Sequence, residues 1–246
     1  MLKKLIRRGF HAIGYEILRL DNPCLKLRPP PPTELLRPVG GWLNILDLHT
    51  VLDVGAHTGE TALAYHEFLP EARIYAFEPQ PDCFATLLTN TRAVPQIRAF
   101  NCALGDQGGV HTFFKNAFAP SSSMLPMAHL HRQMFPFTSE HTERTVEVRR
   151  LDDVAPELDF KPNVLLKMDV QGFEKHVLIG AQETLPRIKI VVAEAAFQPL
   201  YEGQTEFAEL YELLTRHGFK FLGPLGQIEK NPETGLTLFC DVVFAK

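Results

Sequence analysis

The chain has 246 residues, 45% hydrophobic and 22% charged, the balance of a folded, soluble protein with one large domain and an appendage or two small domains. Lys and Arg number 25 against 29 Asp and Glu, a net charge of −4 that argues against nucleic acid as a partner, since its binders carry a basic excess. The four cysteines (Cys24, Cys83, Cys102, Cys240) have neither zinc nor redox spacing and no apolar run is long enough to cross a bilayer, so reduced thiols and a cytoplasmic location are expected.

Residues 1–20 read as a basic amphipathic helix, with Leu2, Leu5, Ile6, Phe10, Ile13, Ile17 and Leu18 roughly on one face and Lys3, Lys4, Arg7 and Arg8 near its start. Such a helix can rest weakly on an anionic membrane surface, or pack on the main domain with its charges solvated. The short basic cluster favours packing. Arg7, Arg8, Glu16 and Arg19 interrupt the apolar residues too often for a signal peptide. Pro29, Pro30, Pro31 and Pro32 form a stiff spacer. The expected division is residues 1–40 for helix and spacer and 41–246 for the main domain.

From residue 49 the pattern alternates: a buried strand at 51–54, a glycine turn at 55–59, a helix at 60–69, a strand at 73–77, a helix at 83–92 and a strand at 97–104. The middle is less regular, with strands at 110–114 and 145–151. Between them, residues 119–143 are rich in Pro, Ser, Met and His and read as a long loop or lid. Alternation resumes with a strand at 164–168, a helix at 173–185, a strand at 188–193 and a helix at 206–217. Two last strands, 219–222 and 236–244, pair as a hairpin. Strand and helix alternating at this pace mean a doubly wound, Rossmann-like α/β sheet.

In such a sheet, ligands sit beyond the carboxyl ends of the strands. Asp53, Gly55, Ala56, His57 and Gly59 end the first strand of the domain and open its helix. Gly55 permits close backbone approach and Gly59 a tight helix entry, while the Asp53 carboxylate favours a cationic ligand such as a sulfonium with its amino group. A pyrophosphate-binding turn has G-x-G-x-x-G. Here His57 stands at the second glycine, and Asp53 would repel a pyrophosphate. Both points weigh against a nicotinamide dinucleotide and for an adenosyl ligand without phosphates. Glu78, after the second strand, stands where an acid accepts hydrogen bonds from ribose hydroxyls.

Three segments then carry a family resemblance: Leu52-Asp53-Val54-Gly55-Ala56-His57-Thr58-Gly59, Ala76-Phe77-Glu78-Pro79, and Leu166-Lys167-Met168-Asp169-Val170-Gln171-Gly172-Phe173-Glu174. With weaker matches at residues 103–106, 121–125 and 150–153, the chain from about His49 onward resembles the FkbM-type methyltransferases. The resemblance implies a class I methyltransferase fold whose seven-stranded sheet is mostly parallel with an antiparallel last strand. It implies S-adenosylmethionine as methyl donor and a hydroxyl of a sugar, glycan or small natural product as acceptor. It places Gly55, Ala56 and Gly59 in the cofactor turn, Glu78 on the ribose, and Cys102 and Ala103 beside the adenine. The family often has Glu where this chain has Gln171, so position 171 is not expected to be an essential base.

For the chemistry, Asp169 is the first candidate for the base. Lys167, two residues earlier, leaves the strand on the same side, and the pair either serves the acceptor or forms a buried salt bridge shaping the loop. Glu194, ending the next strand, is a further candidate for that rim. Glu174 reads as a helix-start carboxylate, and His129 and His131 as loop residues. No metal is expected, because no set of His, Asp and Cys has ligand spacing. The competing readings are a nicotinamide-dependent oxidoreductase on a similar sheet and a non-catalytic adenosylmethionine-binding module. The oligomeric state is not legible.

Overall fold

In the computed structural model the described residues are 16–18, 26–28 and 47–246. Glu16–Leu18 (β1) and Lys26–Arg28 (β2) form a short antiparallel pair. Residues 16–18 are thus extended where a helix was expected. The rest of that helix and the proline spacer lie outside the described residues.

The core of the fold is a seven-stranded sheet. Its strands are Thr50–Val54 (β3), Arg73–Phe77 (β4), Ile97–Phe100 (β5), Val164–Met168 (β9), Ile188–Ala196 (β10), Lys220–Lys230 (β11) and Thr237–Ala245 (β12). Their order is β11-β12-β10-β9-β3-β4-β5. All run parallel except β12, which is antiparallel to both β10 and β11. This is the doubly wound sheet with an antiparallel last strand. The strand order reverses between β3 and β9, the switch point beyond whose carboxyl ends sheets of this kind hold their ligand crevice.

Both faces of the sheet are covered, which is why β3 and β9 are buried along their whole length. On one face, Val51, Leu165 and Ile190 pack on helices Glu60–Phe68 (α1) and Pro81–Thr91 (α2) through Ala62, Tyr65 and Leu87. On the other, Leu52, Leu166 and Val191 meet Leu178, Leu210 and Leu214. Leu178 lies on Glu174–Ile179 (α5), and Leu210 and Leu214 lie on Phe207–Arg216 (α6). Each such apolar side chain contributes roughly 1.5–3 kcal/mol on burial. Helix α2 starts with Pro81 in its first turn and buries Cys83, Leu87 and Thr91 at a spacing of four. Helix α6 stops where Gly218 turns left-handed (φ 83°) and the Phe219 amide returns to the Leu214 carbonyl at 3.1 Å.

Three sequence expectations change. The strand expected at 97–104 breaks at Asn101. Ile97–Phe100 stays in the main sheet, while Ala103–Leu104 (β6) joins a small sheet with Gly109–Asn116 (β7) and His141–Arg149 (β8), ordered β6-β8-β7. The Asn101 amide donates to the carbonyls of Glu78 and Pro79 (2.8 and 3.1 Å), which bends the chain there. The segment expected to be a long loop contains the helix His129–Met134 (α3) and the start of β8. The helix expected over 173–185 ends at Ile179. Gly180 packs so closely on Gly105 that a Cβ would strike the Gly105 carbonyl. The short helix Leu151–Val154 (α4) returns the chain to β9.

Candidate active site

The β3 turn is built by residues held left-handed. Gly55 has φ 80°, and a Cβ on it would run into the Asp169 carbonyl, so only glycine lets the ends of β3 and β9 meet. The amides of Gly55 and Ala56 both donate to the Phe77 carbonyl at 3.0 Å. His57 follows at φ 50° and Gly59, the N-cap of α1, at φ 90°. A Cβ on Gly59 would press on Leu87 and Thr91 of α2 at 3.2–3.3 Å, so this glycine also sets how closely α2 packs.

Glu78 closes the same end of β4 and is 4% exposed. Its Oε2 accepts from the His57 amide at 2.9 Å and its Oε1 from the Gln80 amide at 2.8 Å. Burial pushes this carboxyl up to about 7, against the pull of those two amides. Two of its roughly four acceptor positions are thereby used and two are free for a ligand diol. The proximity of Cys83 and of the Glu60 carboxylate, 3.9 Å from Nδ1, pushes the His57 imidazole up to about 10, and Glu60 falls to about 2 in return. Cys102 and Ala103 are brought next to Glu78 through the Asn101 bend. Their side chains point into core, Cys102 with Phe77 and Leu104 and Ala103 with Phe113 and Val148. Any contact they make with a ligand is therefore through backbone. Burial pushes the Cys102 thiol up to about 12, so it is inert as a nucleophile.

Across the crevice stands a polar cluster. Asp53 and Lys167 are buried on the α1 face of the sheet, as cross-strand partners in register. Lys167 Nζ lies 3.2 Å from Asp53 Oδ1 and 3.8 Å from Asp169 Oδ2, and donates to the Gly55 carbonyl at 3.1 Å. Burial opposes the lysine charge, but the two carboxylates outweigh it and hold Lys167 above the usual lysine range. The expected Lys167–Asp169 proximity is present, with Asp53 as a closer partner. The Asp169 side chain is 41% exposed, so it is the member of the cluster that faces the crevice mouth. Gln171 joins it to the next strand: Nε2 donates to Asp169 Oδ1 (2.8 Å) and to Glu194 Oε1 (2.9 Å). Burial and the Asp169 charge hold Glu194 well above the usual carboxylate range. Glu174, pushed up to about 7 by burial, accepts from the amides of Val170 and Gly172 at 3.3 Å and organises the loop before α5.

Residues 117–140, between β7 and β8, bridge the two halves of the site. On the β4 side Lys115 pairs with Asp82, and Ser122 Oγ donates to Gln80 Oε1 at 3.4 Å. On the β9–β10 side Ser123 Oγ donates to the Gln171 carbonyl (2.8 Å), and the single proton of the Tyr201 hydroxyl is shared between Gln171 Oε1 (2.9 Å) and the Ser121 carbonyl (3.1 Å). The segment is therefore a strap fastened on both flanks of the crevice. His131, in α3, is 4% exposed, packs edge-on against Tyr201, and has neither ring nitrogen hydrogen-bonded. His129 is not drawn into these contacts by any bond among the described residues.

Gln171 as a hub, Tyr201, Asn101 and the serine clamp were not found by sequence reasoning. Gln171 was noted in the sequence only as a residue not expected to be an essential base, and its bonds to Asp169, Glu194 and Tyr201 were not foreseen. Tyr201 carried no signal, because nothing local ties it to residue 171. Among the described residues no three His, Cys, Asp or Glu side chains are grouped to hold a metal ion. No helix among them is long and apolar enough to cross a membrane.

A reversed-order α/β sheet, a glycine turn without phosphate-binding pattern and an acid at the end of the second strand together define a class I S-adenosylmethionine-dependent methyltransferase. The sequence profile of the methyltransferase FkbM domain matches residues 53–221, and the chain belongs to that family. This sets aside the nicotinamide reading. The chain is similar to the 2-O-methyltransferase NoeI of Sinorhizobium fredii, 31% identical over 67% of this chain and 70% of that one. It is also similar to the 31-O-demethyl-FK506 methyltransferase FkbM of Streptomyces tacrolimicus, 32% identical over 69% and 72%. Among solved structures, the precorrin-6y C5,15-methyltransferase of Geobacter metallireducens superposes with a TM-score of 0.47 at 16% identity, over 86% of this chain and 87% of that one, a likeness too low to argue from.

Proposed function

We propose that this methyltransferase transfers the methyl group to a hydroxyl oxygen of a sugar, a glycan or a small natural product, with Asp169 as the base. The carrying observation is the placement of Asp169: partly exposed, beside the cofactor turn, with each carboxylate oxygen held by a neighbour. The acceptor class is supported by the two relatives, both named for transfer to oxygen.

The residues present fit the donor. Glu78 has acceptor capacity free for the ribose diol, the Gly55–Gly59 turn offers close backbone approach, and the acidic cluster suits a cation. Gly55, Ala56, His57, Gly59 and Glu78 would hold it, with the backbone of Cys102 and Ala103 beside the adenine, while Asp53, fully buried against Lys167, would act only from beneath the turn. When bound, the cofactor supplies a methyl carbon activated by positive sulfur and departs as a neutral thioether. Lys167 stands 3.8 Å from Asp169 Oδ2 and pins the Gly55 carbonyl. Asp169 accepts the hydroxyl proton as the acceptor oxygen bonds to carbon, worth about 10²–10⁴ in rate, and the exposed carboxyl then passes it to water. Holding the two reactants in line supplies on the order of 7–11 kcal/mol more. The strap excludes water and lines the acceptor end. The division at residue 40, a cytoplasmic location and the preference for a packed N-terminal segment over weak membrane contact belong to this proposal as well. The buried free Cys83, Cys102 and Cys240 support the reducing setting.

The test is transfer of a tritiated methyl group from S-adenosylmethionine to a panel of monosaccharides, oligosaccharides and polyhydroxylated natural products, with amines as controls. Label on a hydroxyl is expected. Label on amines alone overturns the acceptor class. Asp169→Asn should slow transfer about 10²–10⁴-fold with S-adenosylhomocysteine affinity unchanged, and a fully active variant removes Asp169 as base.

A further inference from the structure

Gln171 occupies a conformation that a side chain adopts at a cost. Its φ is 53°, and Gly172 follows at 95°. Left-handed backbone is uncommon at a non-glycine residue and persists only where the surroundings enforce it. They do so from two directions. Ser123 of the strap donates to the Gln171 carbonyl at 2.8 Å. The amide and hydroxyl of Thr205, in the loop after β10, donate to the Gly172 carbonyl at 2.8 and 3.1 Å. A Cβ at position 172 would sit 2.7 Å from Gln204 Cβ, so there is room only for glycine there.

The strained backbone delivers an amide whose capacity is used on three partners. Both protons of Nε2 are spent on carboxylates, Asp169 Oδ1 at 2.8 Å and Glu194 Oε1 at 2.9 Å. Oε1 accepts from the Tyr201 hydroxyl at 2.9 Å, sharing its proton with the Ser121 carbonyl of the strap at 3.1 Å. Neither a glutamate, which lacks the two donors, nor an apolar residue can satisfy that set. Asp169 is therefore held at Oδ1 by Gln171, with Lys167 3.8 Å from Oδ2, which fixes the plane of its carboxylate.

We propose that Gln171 is a positioning residue for methyl transfer: it locks the Asp169 carboxylate to Glu194 in one orientation, and through Tyr201 and Ser123 makes that lock depend on the strap being seated. This rests on the reading of Asp169 as the proton acceptor. The charged groups around the lock are Lys167 from β9, Asp53 from β3, Glu194 from β10, Asp241 from β12 and Glu174 from α5. A further negative charge at position 171 faces four or more carboxyls and one cation.

The experiment compares the full chain with Gln171→Met and Gln171→Glu. It reads S-adenosylhomocysteine affinity by calorimetry, the pH profile of labelled methyl transfer to the hydroxyl acceptor found in the panel, and the titration of carboxyl-¹³C-glutamate signals. Gln171→Met should leave affinity unchanged and slow transfer about 10–100-fold, the scale of a misplaced reacting group. The Glu194 signal should titrate at higher pH in that variant, because a hydrogen bond favouring the ionised form is lost. Gln171→Glu keeps the shape, guards against a misfolded methionine variant, and should move the acid limb of the profile upward through like-charge repulsion. Wild-type rates, profile and Glu194 titration in both variants, with Asp169→Asn still slow, overturn the lock alone. A fully active Asp169→Asn overturns the parent reading instead.

Discussion

The His57 amide donates to Glu78 Oε2 across 2.9 Å, and that bond ties the loop after β3 to the end of β4. The residue that replaces a glycine of the dinucleotide pattern is thus the one that orients the Glu78 carboxylate. Its left-handed backbone (φ 50°) is what aims the amide.

Glu78→Ala should weaken S-adenosylhomocysteine binding by roughly 1.5–3 kcal/mol, the worth of hydrogen bonds to a charged group. Calorimetry checks this, and an unchanged affinity in a folded variant removes the ribose assignment. A pH dependence follows from the same burial. The Glu78 carboxyl is raised from its ordinary 4.5 to about 7. Between those values the folded protein binds more protons than the unfolded chain, so this group favours the fold at low pH and that contribution is lost as pH rises toward 7. The ionised carboxylate is the better acceptor, so affinity should climb from pH 6 to 8 in the wild type and stay flat in Glu78→Gln.

Gly55→Ala should abolish cofactor binding and lower Tm, because its Cβ meets the Asp169 carbonyl and its φ is positive. The control is Gly203→Ala, also at positive φ (73°) but with nothing within 4 Å of the added Cβ. That variant carries only backbone strain, on the order of 1 kcal/mol, and should bind normally. Equal losses in the two would mean that the β3–β9 contact has no special role.

His131 supplies a stability test. Burial, with Arg132 adding to it, pushes its imidazole down to about 4 from an ordinary 6.5. In that interval the unfolded chain binds more protons, so the stability this residue permits is complete above about 6.5 and is lost as pH falls toward 4. Since neither nitrogen has a hydrogen-bond partner, His131→Phe sacrifices no bond. Thermal melts at pH 7 and pH 5 should show the variant gaining on the wild type as pH drops. A constant difference between them would mean that the ring is solvated.

Much of the sheet was legible in the sequence because burial on both faces leaves runs of apolar residues at 51–54, 164–168 and 188–193 that no other element matches. Glu78 and the Gly55–Gly59 turn were legible for the same reason, since they lie where such runs stop. The break at Asn101 was not, because residues 97–104 carry one unbroken β-like pattern. It is a bond to the carbonyls of Glu78 and Pro79, 23 and 22 positions away, that bends them.

By itself, then, the amino-acid order determined the parallel α/β architecture, the glycine turn after β3 and the strand-end carboxylates, all properties of short segments whose period or glycine content decides their conformation. Only the tertiary structure decided how those ends are wired. Gln171 meets Glu194 and Tyr201, 23 and 30 positions later, and Ser123, 48 positions earlier. Which strand ends become neighbours is set by the order of strands in the sheet, and no local pattern encodes that order.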